Sequence, residues 1–349
     1  MRLNRRTLIA GASAAVAAPA VMRRAWAQTP VVLKLQHFLP AQSNEHKLWF
    51  LPWAEKVGKE SDGRIKVEVY PSMQLGGRAP QLFDQARDGV VDIVWTLAGN
   101  TPGRFPRLEV FELPFIAGAT GEITSRATWD YYEANSKDEL KDIHPLAVFC
   151  HGKGNIFTKD RVIKLPADLK DVKIRVPSRP INDSLQLIGA SPQGIPAPGV
   201  PEALAKGVVD GVVMPYEIAP SLKLDELTNK ISEFAGDRAF YTLVFIVGMN
   251  KAKYEGLPDD LKKVIDANSG AAYARQCGKY FDDWDVWGKE AVLKAKMQIT
   301  TIAGADLETW KAATLPVTKA WVESRTKAGD KGAELLAQAQ ALIEKYSKA

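Results

Sequence analysis

The sequence K-I-R-V-P at residues 173–177 is the most informative part of this 349-residue chain, and it lies within a longer patterned segment, residues 165–211. Apolar and basic side chains alternate here, which is typical of a half-buried β-strand, and Pro177 ends the strand. The alternation places Lys173 and Arg175 on the same face. An arginine beside a strand end suits paired hydrogen bonds to a carboxylate. A surface arginine with no such role fits the same five residues.

Hydrophobic periodicity in the first hundred residues predicts alternating strands and helices. In order, the predicted elements are strand 31–36, helix 45–61, strand 64–70, helix 79–88 and strand 90–97. That order and spacing predict a parallel α/β sheet. Ligands of such sheets bind beyond the carboxyl ends of the strands. The rule singles out His37 and Phe38 after the first strand and Trp95 near the end of the third.

A short internal repeat suggests that two similar α/β units follow one another. Gly89-Val90-Val91-Asp92 recurs as Gly207-Val208-Val209-Asp210, each time after a helical stretch and before an apolar strand. We expect the two aspartates to act as capping and turn residues rather than as catalysts.

Later elements are predicted from the same periodicity. They are helix 127–143, strand 146–150, strand 242–249 returning to the first unit, a single long helix 259–297 with little Pro or Gly, and a terminal helix 334–346. Trp284 and Trp287 lie three residues apart on the long helix. We interpret them as a packing stripe.

The first 27 residues resemble an export signal rather than part of the fold. A basic head precedes a short apolar stretch, and Ala25-Trp26-Ala27 fits a cleavage site. The pair Arg5-Arg6 favours twin-arginine export, with an ordinary signal peptide as the alternative. The whole chain has 46 Lys and Arg against 41 Asp and Glu. Because the leader holds five arginines and no acids, the remaining chain balances at zero and gives no indication of nucleic-acid or membrane-surface binding.

The sequence offers little support for metal or hydrolase chemistry. The four histidines show no metal-ligand spacing, and no G-x-S-x-G elbow occurs, so we expect no metal and no cofactor. Cys150 and Cys277 are the two cysteines of the chain. They could form a disulfide or remain two buried thiols, since two cysteines define no framework.

Five motifs in order resemble one transporter family. They are Y-P-S-M-Q-L-G-G at 70–77, F-E-L-P-F at 111–115, D-L-K-D-V-K-I-R-V-P at 168–177, G-A-S-P at 189–192 and A-L-A-K-G-V-V-D-G at 203–211. The chain resembles the substrate-binding proteins of TRAP (tripartite ATP-independent periplasmic) transporters from about residue 31 to about residue 294.

The resemblance implies a two-lobed periplasmic binding protein fold with an interlobe cleft and a long lobe-spanning helix. Lobe I is expected to comprise residues 28–152 and 241–280, and lobe II residues 153–240 and 281–349 with the C-terminal helices. The protein would be a periplasmic receptor, expected to be a monomer, that closes on its ligand and delivers it to membrane permease subunits. Trp284 and Trp287 could then form a docking surface for that permease.

The resemblance also implies a set of ligand-binding residues. Arg175 would bind the ligand carboxylate, as the arginine of this strand does in the family. The other candidates are His37, Phe38, Trp95, His151, Asn155, Arg179, Met214 and Tyr216.

Two departures from the better-known relatives indicate the ligand class. Asn155 replaces a second arginine at the lobe crossing, and Met214 replaces an asparagine found in the sialic-acid binders. A second buried carboxylate would therefore lack a partner, whereas soft and aromatic surface suits an apolar tail. We expect a monocarboxylate with an apolar or aromatic body: a 2-oxo or 2-hydroxy acid, or an aryl acid. The alternative is a C4-dicarboxylate, if the alignment slips or if His151 or Lys153 supplies the missing charge.

Two other classes of function remain open from sequence. One is a periplasmic enzyme on the binding-protein fold, with His37 or His151 as the base, because fold alone does not define function. The other is a scaffold role without a small-molecule ligand.

Overall fold

A computed structural model describes residues 29–348 of the protein. The predicted signal peptide, residues 1–27, lies outside the described residues. The strands are β1 (Val31–Gln36), β2 (Ile65–Tyr70), β3 (Ile93–Leu97), β4 (Ile143–Cys150), β5 (Asn155–Thr158), β6 (Lys173–Val176), β7 (Ser191–Gly194), β8 (Gly211–Met214), β9 (Lys230–Phe234), β10 (Val244–Asn250) and β11 (Gln298–Ile302).

The helices are distributed along the whole described chain. They are α1 (Leu51–Glu60), α2 (Leu82–Arg87), α3 (Gly121–Asn135), α4 (Arg179–Leu187), α5 (Val200–Ala205), α6 (Leu224–Leu227), α7 (Lys251–Glu255), α8 (Asp259–Ala267), α9 (Gly270–Lys294), α10 (Gly304–Lys327) and α11 (Gly332–Ser347). A π-helical segment, Glu45–Phe50, leads directly into α1.

The strands form two mixed sheets. The first has the order β2-β1-β3-β10-β4, and the second has the order β11-β9-β5-β8-β6-β7. In the first sheet β1 is parallel to β2 and β3, as the sequence predicts, whereas β10 is antiparallel to β3 and β4. The strand predicted at 242–249 therefore does return to the first sheet. The mixed α/β fold with two sheets agrees with the predicted fold class.

The chain passes between the sheets three times. It leaves the first sheet between β4 and β5, returns between β9 and β10, and crosses again through α9 before β11. The predicted boundary between residues 280 and 281 falls inside α9, which continues to Lys294. The division into two lobes at these residues stays a prediction.

The repeated G-V-V-D segments have equivalent positions in the two sheets. Asp92 accepts a hydrogen bond from the backbone N–H of Lys34 on β1 at 2.7 Å. Asp210 accepts one from the backbone N–H of Lys173 on β6 at 3.1 Å. Each aspartate thus satisfies a backbone donor of the neighbouring strand, which agrees with the expected capping role.

The prediction of one continuous helix over residues 259–297 is wrong. The helical segment breaks between α8 and α9, where Gly270 adopts a φ of +79°. The Asn268 side chain donates to the Val264 carbonyl at 2.9 Å and satisfies the last turn of α8. Glycine readily adopts this left-handed conformation, which ends one helix before the next begins.

Two other sequence-based assignments need correction. The helix predicted at 127–143 begins earlier, because Thr120 caps it by accepting from the backbone N–H of Ile123 at 3.1 Å. It ends at Asn135, and Ile143 already belongs to β4. The packing stripe predicted on the long helix holds for Trp284, which is buried, but not for Trp287, which is 56% exposed.

Cys150 and Cys277 are both buried and both free, so the structure has the two thiols rather than the disulfide. Between residues 29 and 348 no helix is long and apolar enough to cross a membrane.

The core of the first sheet is an aromatic cluster around Trp95. Its indole packs on Phe38, Phe245 and Trp49, with ring centroids 4.7, 5.0 and 5.5 Å away. Phe281 from α9 closes the cluster at 6.4 Å. This packing fixes the position of the Trp95 ring.

Candidate functional site

A small cavity lies between side chains carried by the two sheets. The first sheet and its loops contribute Phe38, Leu39, Glu45, Trp95, Leu97, His151, Leu243 and Phe245, and the second contributes Arg175, Ala197, Met214, Pro215, Glu217 and Ile218. Phe38 lies two residues beyond the carboxyl end of β1, where the sequence predicts a ligand, and Trp95 lies two residues before the carboxyl end of β3.

Arg175 is the only basic side chain other than His151 in the wall of this cavity within the described residues. It lies on β6 and is 3% exposed. Its Nε donates to the Ile195 carbonyl at 2.7 Å, and its Nη1 donates to the Val213 carbonyl at 3.3 Å. These two bonds hold the guanidinium in one orientation.

No carboxylate among residues 29–348 forms an ion pair with Arg175. Burial lowers the pKa of its guanidinium from 12.5 to about 10, which leaves the side chain charged at neutral pH. A buried charge without a counter-ion is unfavourable, because its lost hydration is not replaced. The cavity is therefore well suited to an anion.

The wall from the first sheet is aromatic but not wholly apolar. The Phe38 and Trp95 rings stack with their planes inclined by 20°. The indole nitrogen of Trp95 is buried and has no hydrogen-bond partner in the described residues. Phe245 and Leu97 extend the apolar surface. Such a wall accommodates a flat aromatic body and offers it one N–H donor.

His151 contributes a neutral imidazole. Its Nδ1 lies 2.7 Å from the Gly152 carbonyl oxygen and donates to it, so Nε2 carries a lone pair. Burial lowers the pKa of His151 to about 4. Its Nε2 has no partner among residues 29–348. At neutral pH this side chain therefore supplies no positive charge to the cavity.

Two glutamates in the wall were not among the residues chosen from sequence. Glu45 begins the π-helical segment, and Glu217 follows β8 by three residues. They are 1% and 5% exposed. Their carboxyl groups lie within hydrogen-bonding reach of each other, and burial raises the pKa of both. The proximity of Glu45 raises the pKa of Glu217 further.

Strand alternation fails just after β8, which explains why Glu217 was missed. Met214 ends the strand and contacts Arg175, its sulfur lying 3.5 Å from Nη1. Beyond Pro215 the chain turns, so Tyr216 no longer faces the same side as Met214. The Tyr216 hydroxyl instead donates to Glu233 at 3.0 Å, outside the cavity. A glutamate just past a strand end was the available sequence signal.

Three other predicted site residues also lie outside the cavity wall. His37 is fully buried behind Trp95, and its Nε2 is 3.1 Å from Nδ1 of His46. Asn155 is buried in β5, where its amide nitrogen donates to the Lys153 carbonyl at 3.5 Å. Arg179 pairs with Glu109 and lines a separate, more open groove. The cavity thus brings together Phe38, Trp95, His151, Arg175 and Met214 of the nine predicted residues.

The other proposed source of positive charge, Lys153, is directed elsewhere. Its ammonium donates to the Gly236 carbonyl, and the side chain is not part of the cavity wall. The described residues contain no group of three or more His, Cys, Asp or Glu side chains placed to hold a metal ion.

Comparisons with known proteins identify the family. The family model described as "DctP: Bacterial extracellular solute-binding protein, family 7" matches residues 35–325. A crystal structure of a TRAP solute-binding protein from Rhodoferax ferrireducens T118, in complex with copurified benzoate, is 47% identical, covering 91% of this chain and 99% of that one with a TM-score of 0.89.

Two further relatives bind different acids. A marine metagenome TRAP solute-binding protein specific for aromatic acid ligands, co-crystallised with 3-hydroxybenzoate, is 50% identical, with a TM-score of 0.89 and coverage of 91% and 99%. The C4-dicarboxylate-binding periplasmic protein DctP of Rhodobacter capsulatus is 29% identical over 68% of this chain and 70% of its own length.

The chain belongs to the family 7 extracellular solute-binding proteins, the substrate-binding proteins of TRAP transporters. It is an extracytoplasmic receptor. Like the other members of its family and its structural neighbours, it binds a solute and is not an enzyme. Receptors of this kind bind small organic acids and work with membrane permease subunits.

Proposed function

We propose that this protein is a periplasmic receptor for aryl monocarboxylates and that Arg175 binds the ligand carboxylate. The observation that carries the proposal is the buried Arg175 guanidinium, which is held in place by two backbone carbonyls and has no anionic partner in the described residues. A ligand carboxylate would supply that partner and accept charge-assisted hydrogen bonds.

The rest of the cavity favours one carboxylate and an aromatic body. Phe38, Trp95 and Phe245 provide flat apolar surface. A second carboxylate would lie near Glu45 and Glu217, and no second permanent cation is present in the wall of the cavity. His151 is neutral at neutral pH, and Lys153 is bonded elsewhere. The benzoate and 3-hydroxybenzoate complexes of relatives near 50% identity support the same ligand class.

We further propose that the ligand stabilises a closed arrangement of the two lobes. The cavity wall combines residues of both sheets, so a ligand that contacts Arg175 and Trp95 together favours their approach. The closed receptor, acting as a monomer in the periplasm, would then deliver the acid to its permease.

A thermal-shift panel tests the ligand class. We would compare benzoate, 3-hydroxybenzoate, phenylpyruvate and benzoylformate with succinate, malate and fumarate. At about a hundred times its Kd a ligand stabilises the folded state by roughly 2.7 kcal/mol, which raises Tm by about 4 °C for a protein of this size. Shifts given by the dicarboxylates alone would contradict the proposed ligand class.

A further inference from the structure

The cavity contains more unsatisfied polar groups than a simple aryl carboxylate would require. Both carboxyl oxygens of Glu45, Oε2 of Glu217, the Trp95 indole nitrogen and Nε2 of His151 are buried without a partner in the described residues. All four side chains line the same cavity as Arg175. A buried polar group without a partner is costly, so these atoms indicate what the occupant must supply.

The two glutamates need a hydrogen-bond donor. A carboxylate oxygen only accepts, so the pair can bond internally only through a shared proton. Both carboxyl oxygens of Glu45 and Oε2 of Glu217 have no donor within hydrogen-bond geometry among the described residues. The Trp95 N–H, by contrast, needs an acceptor. Besides the guanidinium of Arg175, the cavity wall therefore presents both an acceptor and a donor.

A hydroxyl group answers both needs. It donates one hydrogen bond and accepts up to two, so it can donate to the carboxyl pair and accept from the indole. An ammonium group could donate to the glutamates but could not accept from Trp95. We propose that Glu45 and Glu217, together with Trp95, form a hydroxyl-binding subsite, and that the preferred ligands are hydroxylated aryl monocarboxylates. This inference rests on the proposed function, because it assumes the carboxylate on Arg175.

Such a subsite acts mainly on specificity. A site whose buried groups are satisfied by a ligand hydroxyl strongly rejects the analogue without it, because those groups are then left unpaired. The two glutamates also come from opposite sides of the cavity, one before α1 and one after β8. The hydroxyl would therefore contact both walls.

Calorimetry with matched ligand pairs tests the subsite. The probes are benzoate, the three hydroxybenzoates and, for each, the methylbenzoate with its substituent at the same ring position. The measured quantity is the ratio of Kd values, methyl over hydroxyl, because effects on closure or on Arg175 cancel within a pair. We expect at least one ratio of about ten or more, and we expect it to fall toward about one in Glu45→Leu and Glu217→Leu.

Glutamine variants keep the test decisive if the leucine variants do not fold. Glu45→Gln and Glu217→Gln retain the shape and an amide acceptor, which is weaker than a carboxylate, so the ratio should fall only partly. Wild-type protein that binds benzoate with no ratio above about two overturns the subsite while the proposed function stands. A ratio unchanged in the variants shows a purely structural pair and also overturns it. If no aryl acid binds at all, the proposed function fails, and this inference fails with it.

Discussion

The carboxyl oxygen Oδ1 of Asp285 on α9 accepts a hydrogen bond from the backbone N–H of Glu217 at 2.8 Å. Glu217 lies in the cavity wall, so the long helix holds a wall residue through its backbone. Asp285→Ala should leave that N–H without a partner and lower the free energy of unfolding by about 1–3 kcal/mol. Asp285→Asn keeps a carbonyl acceptor and should lower the free energy of unfolding by less than Asp285→Ala does. Urea unfolding measures both variants.

Asp283→Ala on the same helix is the matched control. Asp283 is exposed and pairs with Lys279 at 2.9 Å, an interaction worth about 0.2–1 kcal/mol. Equal losses for the alanine variants at 283 and 285 would show that the bond to Glu217 has no special role.

Arg175 should be indispensable for binding. Arg175→Ala should abolish binding detectable by calorimetry, because each charged hydrogen bond to the carboxylate is worth roughly 1.5–3 kcal/mol. Arg175→Lys should weaken binding strongly, since an ammonium cannot reproduce the geometry of the guanidinium. Lys173→Ala, two residues earlier on β6 and exposed, serves as the control. Wild-type affinity in Arg175→Ala would remove the central contact of the proposed function.

Gly154 should tolerate no side chain. It lies in the crossing between β4 and β5, and its N–H donates to the Tyr241 carbonyl at 3.0 Å. A Cβ at this position would lie 1.8 Å from a ring carbon of Tyr241. We expect Gly154→Ala to destabilise the protein by a few kcal/mol, through overpacking that the buried ring cannot relieve. Thermal unfolding measures the change.

Gly194→Ala provides the comparison, because a Cβ there would meet no atom within 4 Å. Its Tm should stay within about 2 °C of the wild type. A Gly154→Ala protein as stable as Gly194→Ala would mean that the crossing adapts to the added methyl.

Strand patterns predicted part of the cavity wall and could not predict the rest. Phe38 and Trp95 followed from the rule about strand ends, and Arg175 from alternation within β6. Tyr216 was misplaced and Glu217 missed, because alternation stops where the chain turns after Met214. Burial of His37 behind the aromatic wall depends on tertiary packing, which local periodicity does not contain.

The failure to predict one of the helices has an equally local cause. The helix α10 was not predicted, although its buried residues recur at helical spacing. Two of them, Thr314 and Thr318, are polar residues, and Pro316 lies between them. The Thr314 hydroxyl has a hydrogen-bond partner within the helix, because it donates to the Trp310 carbonyl at 2.9 Å. An apolar pattern broken by threonines and a proline does not indicate a helix from sequence.

The last prediction concerns pH and the buried carboxyl group of Glu112. Its Oε1 accepts from the backbone N–H of Val244 at 3.0 Å, and the side chain is fully buried. Burial raises its pKa from 4.5 to about 8. The folded state therefore holds a proton that the unfolded state releases between about pH 4.5 and pH 8. The contribution of Glu112 to the free energy of unfolding should be fully present below pH 4.5, and it should be lost as the pH rises toward 8.

Glu112→Gln should remove this part of the pH dependence. Glutamine stays neutral and keeps an oxygen for the Val244 N–H, so the variant should gain stability relative to wild type between pH 5 and pH 9. The gain should reach a few kcal/mol, at roughly 1.4 kcal/mol per unit of pKa difference. Asp285, with its pKa raised to about 8, acts in the same direction, so a residual slope should remain in the variant.

Urea unfolding at pH 5, 7 and 9 measures the difference, and Glu323→Gln on the exposed face of α10 controls for the loss of one acidic residue. The buried histidines His37 and His151, with pKa values lowered to about 3 and about 4, reduce stability only as the pH falls below about 6.5. They cannot produce a gain that grows toward alkaline pH. If Glu112→Gln and wild type differ by the same amount at all three pH values, Glu112 does not retain its proton in the folded protein.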